Sequence, residues 1–237
     1  MTINISASLL KDYLLCPRMV HYRLTLPKGG IPTPDMLVGN IVHWTLEKYW
    51  KDINTALNFC LKECSDNQLE KEHIDKAVKC INSFFKNFQW LTSPQDKIEV
   101  RFKLKISEDV FLTGRMDRIL ENHTIVDWKT SKESPRNITY DPQFIVYYLA
   151  YKQMYGVVPS SVIYASLYDG KMVGFVSNPL LTNSMVSGII PAVIENIRLE
   201  RLPPTGLYVG KCFRCQYKEI CHYELDSPKT SDRKTKT

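Results

Sequence analysis

Apolar and polar residues alternate through IEVRFKLKI (98–106) and again through VFLTGRMDRIL (110–120), and TIVDW (124–128) follows as a short apolar run. Side chains on a strand point alternately to its two faces, so a period of two commits the middle of the chain to an antiparallel meander of three strands. Upstream the period is helical. Ser6 or Ser8 can cap a short helix carrying Leu9, Leu10, Tyr13 and Leu14, which Cys16-Pro17 ends. PKGGIPTP (27–34) reads as a loop. Val38, Ile41, Val42, Leu46 and Tyr49 mark an amphipathic helix, and 53–66 and 69–90 read as two charged helices forming an insertion. Downstream, Phe144, Tyr147, Tyr148 and Tyr151 stripe a helix over 141–155, and SVIYASLYDGKMVGFV (161–176) reads as a hairpin turning at Asp169-Gly170. A last helix is expected over 180–201, kinked or broken by Gly188 and Pro191. The resulting order, α-β-β-β-α-β, predicts an α/β fold without internal repeats.

A chain of 237 residues, 44% hydrophobic and 24% charged, is neither disordered nor collagen-like. One domain is expected over 1–225, with 226–237 a disordered basic tail. Lys229, Arg233, Lys234 and Lys236 against Asp232 carry half of the +6 net charge, so bulk charge permits nucleic-acid binding without arguing for it. There is no run of about 18 apolar residues, and the N-terminus lacks the basic leader and apolar core of a signal peptide. A cytoplasmic or nucleoid-associated protein, neither secreted nor bound to a membrane, is expected. Seven cysteines then suggest metal ligands or buried thiols rather than disulfides.

The polar residues of the meander need a reason. Asp127 and Lys129 share one strand face, with Trp128 on the other, and Asp117 can come beside Asp127 if the strands pair through a turn at Glu121-Asn122. Two neighbouring carboxylates repel unless a cation lies between them. A hard divalent ion, Mg²⁺ or Mn²⁺, accepts such oxygen ligands together with substrate phosphate. With a lysine beside it, that arrangement suits phosphodiester hydrolysis, in which the metal is a Lewis acid and activates water. His43, on the helix before the sheet, can add a ligand, and Gln143 and Tyr147 lie four apart on one face of the helix after it.

His43, Gly114-Arg115-Met116-Asp117, Asp127-Trp128-Lys129 and Gln143-x-x-x-Tyr147, in this order, resemble the RecB-like branch of the PD-(D/E)XK nucleases. The resemblance covers most of 1–225 and implies a central mixed sheet flanked by helices. It further implies that His43, Asp117, Asp127 and the Trp128 carbonyl bind metal, that Lys129 is the catalytic lysine, and that Gln143 and Tyr147 hold DNA and the lysine side of the site. Glu99 sits where some members carry an acidic residue, whereas Glu47 reads as a solvated charge.

Cys212, Cys215 and Cys221 form C-x₂-C-x₅-C, one ligand short of a tetrathiolate site, and Cys16 is the natural fourth. Zinc and an iron–sulfur cluster both accept four thiolates. The resemblance implies [4Fe–4S], since CRISPR-associated RecB-like exonucleases and iron–sulfur helicase-nucleases pair an upstream cysteine with three near the C-terminus. Cys60, Cys64 and Cys80 read as buried thiols. The chain has no G-x-x-x-x-G-K-[ST] motif, so a stand-alone nuclease or a recruited subunit is expected. The resemblance implies exonucleolytic action on single-stranded DNA, 5′ ends preferred, beside a CRISPR integrase complex or another nuclease or helicase subunit. A restriction-type endonuclease and a non-catalytic DNA-binding adaptor are the alternatives. The 53–90 helices are a candidate partner or DNA-gating surface. Trp44, Trp50 and Trp90 are expected in the core rather than stacked on bases.

Overall fold

The computed structural model describes residues 2–26, 33–132, 134–206, 208, 210 and 212–221. Most of the 27–34 loop and the whole basic tail lie outside them. The strands are β1 (Ile3–Ser6), β2 (Lys97–Ser107), β3 (Val110–Ile119), β4 (Thr124–Lys129), β5 (Ser161–Ser166) and β6 (Met172–Gly174). The helices are α1 (Ala7–Leu15), α2 (Pro17–Thr25), α3 (Pro34–Tyr49), α4 (Ile53–Asp66), α5 (Lys71–Asn87), α6 (Pro142–Tyr155), α7 (Pro179–Ser184) and α8 (Ile190–Arg198). The order α3-β2-β3-β4-α6-β5 is the expected one.

The meander forms as the alternation requires, β2 with β3 and β3 with β4, both antiparallel. β4 and β5 pair in parallel, making the sheet mixed, and β6 closes the hairpin beyond Gly170. Two elements escaped the sequence reading. β1 is only four residues long and pairs parallel with β3 from Val110 to Thr113 before Ser6 caps α1. Cys16-Pro17 ends α1, but the same proline then occupies the first turn of α2, where its missing N–H costs nothing.

β3 offers one edge to two partners. β1 takes residues 110–113 and β4 takes 118–119, leaving 114–117 between them. On the opposite edge β2 runs alongside throughout, with Phe102 across from Gly114. A Cβ at 114 would lie 2.3 Å from the Phe102 ring, so the glycine is required by that close approach.

Each face of the sheet has its own apolar layer. α1, α6 and α8 pack on Met116, Ile119 and Ile125. On the other face α3, α4 and α5 cover Val126 and Trp128, with the Phe84 ring edge-on to Trp128 at 5.4 Å. The 53–90 helices are therefore a layer of the core, and Cys60, Cys64 and Cys80 are buried within it. Trp50 packs against this layer, but Trp44 is exposed and Trp90 is 71% exposed, contrary to the core positions expected for them.

The last helix is not broken. A π-helical turn, Met185–Ile189, joins α7 to α8, and the Ile190 N–H reaches back to the Met185 carbonyl. That wider turn absorbs the N–H missing at Pro191. The helical run Pro179–Arg198 has 20 residues and by length and mean hydropathy alone could span a membrane, although polar residues interrupt its apolar ones. Met185, Ile190, Val193, Ile194 and Ile197 of this run instead join the core.

One buried charge pair ties the meander together. Arg118 Nε donates to Asp96 Oδ2 at 2.7 Å, and its guanidinium lies 4.4 Å over the Trp50 ring. Asp96 also accepts from the Ser93 and Glu121 N–H groups. Removing one member strands the other charge away from water, so Asp96→Ala should lower stability by about 3–5 kcal/mol. Denaturant unfolding measures the loss.

Candidate active site and a candidate cysteine centre

The side chains of the four sequence motifs meet in the gap at β3. Residues 116 and 119 both face the α6 layer although they differ in parity, so β3 turns over between them. Its partner β2 turns at the same level, because Glu99, between the Ile98–Arg118 and Val100–Met116 pairs, has φ of 54°. Such left-handed backbone is costly for a residue with a Cβ and persists where surrounding structure holds it. Asp117 thus points into the gap, open to α3 on one side and to α6 on the other.

His43 comes from α3. Its Nδ1 lies 3.4 Å from Asp117 Oδ1, while Asp117 Oδ2 accepts from the Trp128 N–H at 2.8 Å. Donor atoms of His43, Glu99 and Asp117 all lie within 4.8 Å of one another, the one such group of three among the described residues. Glu99 Oε2 is also 2.5 Å from Arg115 Nε. Glu47 is exposed, as expected.

Asp127, 1% exposed, is held from the other side. Its Oδ2 is 2.6 Å from Lys129 Nζ, and its Oδ1 accepts from Gln143 Nε2 at 2.9 Å. Gln143 Nε2 also donates to the Tyr147 hydroxyl at 2.8 Å, and that hydroxyl donates to the Arg115 carbonyl at 2.7 Å. Lys11 of α1 lies 3.4 Å from Gln143 Oε1 and 2.8 Å from Asp141, the N-cap of α6. Facing the amide oxygen, this ammonium fixes which end of Gln143 meets Asp127. Lys11 and Asp141 belong to no motif; Asp141 lies two positions before Gln143, whereas nothing in the sequence around Lys11 marks it.

The electrostatics match a site built around a cation. Burial pushes the Glu99 carboxyl up to about 7, with Asp117 adding to it. Burial likewise raises Asp127 above the usual carboxylate range despite Lys129. Asp117 goes the other way, since His43, Lys129 and the Trp128 N–H outweigh its burial. Lys129 stays protonated to higher pH than usual, because Asp127 and Asp117 outweigh desolvation. His43 Nδ1, Glu99 Oε2 and Asp127 Oδ2 are buried with ion contacts but no hydrogen-bond partner. Converging lone pairs of this kind fit a hard divalent ion. The close triad contains Glu99 and leaves Asp127 outside. For Trp128, the N–H rather than the carbonyl has a described role.

The cysteines converge at the other end of α1. Cys16, buried, ends that helix, and Cys212 feels the neighbouring Cys16, Cys215 and Cys221. A Cβ at Gly206 would come within 3.3–3.5 Å of Cys16 and of Cys212 Sγ, so the chain leaves the space between these thiols clear. The segment is docked on α2 by Tyr22, whose hydroxyl donates to the Ile220 carbonyl and whose ring lies 5.3 Å from Tyr217. Cys16 and Cys212 thus flank that space, with Cys215 and Cys221 near enough to Cys212 to act on its thiol.

Residues 4–222 match the family profile described as the PD-(D/E)XK nuclease superfamily. The chain belongs to that superfamily. A crystal structure named "Putative exonuclease", from Eubacterium rectale, superposes with a TM-score of 0.62 at 16% identity, covering 92% of this chain and 88% of that one. At this identity it supports the fold alone. A structure named SSO0001 has a TM-score of 0.42 at the same identity, over 92% of this chain and 96% of its own, and carries no argument. No curated protein matches the sequence. PD-(D/E)XK nucleases use divalent metals, and here His43, Glu99 and Asp117 bring three donor groups close enough together to hold one.

The raised carboxyl of Glu99 and the raised imidazole of His43 bind protons more tightly in the folded than in the unfolded chain. Metal-free protein should therefore lose stability as pH rises from 4.5, the ordinary value for Glu99, through about 7. Mn²⁺ should flatten the trend, because ligation needs the deprotonated groups. Unfolding curves at pH 5 and 8, with and without Mn²⁺, check this. A Glu99→Gln protein that keeps the full metal-free slope would refute it.

Proposed function

We propose that the protein is a Mg²⁺- or Mn²⁺-dependent deoxyribonuclease that degrades single-stranded DNA from its ends, 5′ ends preferred, and carries a structural [4Fe–4S] cluster. The observation carrying the reading is the buried Asp127–Lys129 pair, locked by Gln143 and Tyr147 beside the group formed by His43, Glu99 and Asp117. A buried carboxylate and ammonium at the end of a strand cost stability, and chemistry explains their presence better than packing does.

When bound, the metal supplies Lewis-acid polarisation of the phosphodiester and activation of water. His43, Glu99 and Asp117 would hold it, with Asp127 facing it from the lysine side. Asp117, ionised to unusually low pH, keeps its charge through the working range. Lys129 holds its proton and presents a fixed positive charge beside the negative charge that develops on phosphorus oxygens. Gln143 and Tyr147 keep Asp127 from rotating away. Lys11 keeps the Gln143 amide from flipping.

Cys16, Cys212, Cys215 and Cys221 would hold the cluster, which fastens the C-terminal segment to α2 and takes no part in hydrolysis. Thiolates favour iron or zinc where the catalytic group favours a hard ion, so two separate metal centres coexist. We place the activity in DNA-end processing, in the cytoplasm or on the nucleoid. Spacer trimming beside a CRISPR integrase is the specific case the family resemblance suggests.

Asp127→Ala and Lys129→Ala should each lower Mn²⁺-dependent cleavage at least about 100-fold, the scale of losing one transition-state charge contact, while the protein still binds DNA. A time course on linear and circular single strands tests end dependence, and equal rates would favour an endonuclease. Anaerobically purified protein should absorb visible light and contain about four irons per chain. One zinc without iron would overturn the cluster.

A further inference from the structure

One part of the sheet is covered by none of the described helices. Beyond the turn at Glu99, Val100, Phe102 and Leu104 of β2 face the α6 layer. Arg101, Lys103 and Lys105 therefore stand on the opposite face, all exposed. Across from them on β3 are Arg115, Thr113 and Phe111, and Asn4 and Ser6 of β1 continue the face. Its cations are unbalanced. Glu99 takes Arg115, but among the described residues no carboxylate pairs with Arg101, Lys103 or Lys105. Arg101 also lies directly across from Arg115, and like charges so placed on an antiparallel pair cost stability. Among the described residues no strand pairs with the outer edge of β2, and lysines on edge strands discourage pairing with other chains. That accounts for lysines along β2. It does not account for one arginine set against another.

We propose that this face is a track for the phosphate backbone of one nucleic-acid strand leading to the Glu99–Asp117 site, an inference that rests on the nuclease reading. Alternate residues of a strand are about 6.8 Å apart, comparable with successive phosphates along an extended single strand. Arg101, Lys103 and Lys105 thus meet three consecutive phosphates. Phe111, with Lys103 Nζ 4.3 Å from its ring centroid, offers a ring to a base, a contact a single strand can use because its bases are free to stack. The track starts two residues from Asp117, at Arg115. It ends at the β2–β3 turn, where Glu108 and Asp109 reverse the charge.

The test is equilibrium binding of a labelled single-stranded oligonucleotide across a range of salt, in the full chain carrying Lys129→Met so that the probe survives. Adding Arg101→Gln, Lys103→Gln and Lys105→Gln should make the slope of log affinity against log salt shallower by about 2, at about 0.7 per lost phosphate contact. Lys105→Gln alone should give about one third of that, which preserves the test if the triple variant fails to fold. Neutralising Lys62, Lys71 and Lys152, exposed on other elements, should leave the slope unchanged. An unchanged slope in folded triple variant overturns the track even if the wild-type protein cleaves DNA. A shallower slope for duplex only overturns the single-strand assignment. Wild-type protein that neither binds nor cuts DNA overturns the nuclease reading and the track together.

Discussion

A β-strand has two edges, and β3 divides one of them between β1 and β4. The four residues between those partners face no strand on that side, so the sheet opens into a slot in its own interior. Asp117 occupies the slot. Only there can a strand residue be reached by α3, packed on one face, and by groups from α6, packed on the other. His43 and Gln143 therefore belong to one site although their helices share no layer. The paired turns at Glu99 and Asp117 widen the same slot, and the strained backbone of Glu99 is the local cost of bringing a third carboxylate or imidazole donor into it.

β4 couples this slot to the rest of the molecule. Asp127 and Lys129 look toward α6, while Val126 and Trp128 between and beside them are sealed under α3, α4 and α5. The Phe84 and Phe88 rings against Trp128 fix that strand's height and tilt, and so fix where its acidic and basic side chains emerge. A helical layer of this kind tolerates little volume change, because close-packed aromatic contacts pass displacement directly to the strand beneath.

Much of this was legible in the sequence because it depends on periodicity. The alternation of 98–120 fixed the meander, and Asp127-Trp128-Lys129 put two charged groups on one face by strand geometry alone. What escaped depends on distant partners. β1 is too short to show a period, and α2 hides behind a proline that both stops one helix and starts the next. The left-handed turn at Glu99 leaves no trace in composition, so its place in the close triad with His43 and Asp117 could not be read from the sequence. Lys11 is 132 positions from the amide it orients. Trp44 and Trp90 look like core residues by type, yet nothing in their own sequence says that their helix faces point outward. The irregularity expected from Gly188 and Pro191 takes the form of a π-turn, which supplies slack that an α-turn lacks and keeps the helix continuous.

The meeting of Cys16 with Cys212, Cys215 and Cys221 has a consequence in time as well as in space. A ribosome releases Cys16 well before Cys212, Cys215 and Cys221, so the N-terminal helices emerge long before the segment docked on them exists. Everything between must already be folded closely enough to deliver the late thiols to the early one. Until Cys212 emerges, Cys16 stands at the end of α1 without the thiols that later lie near it.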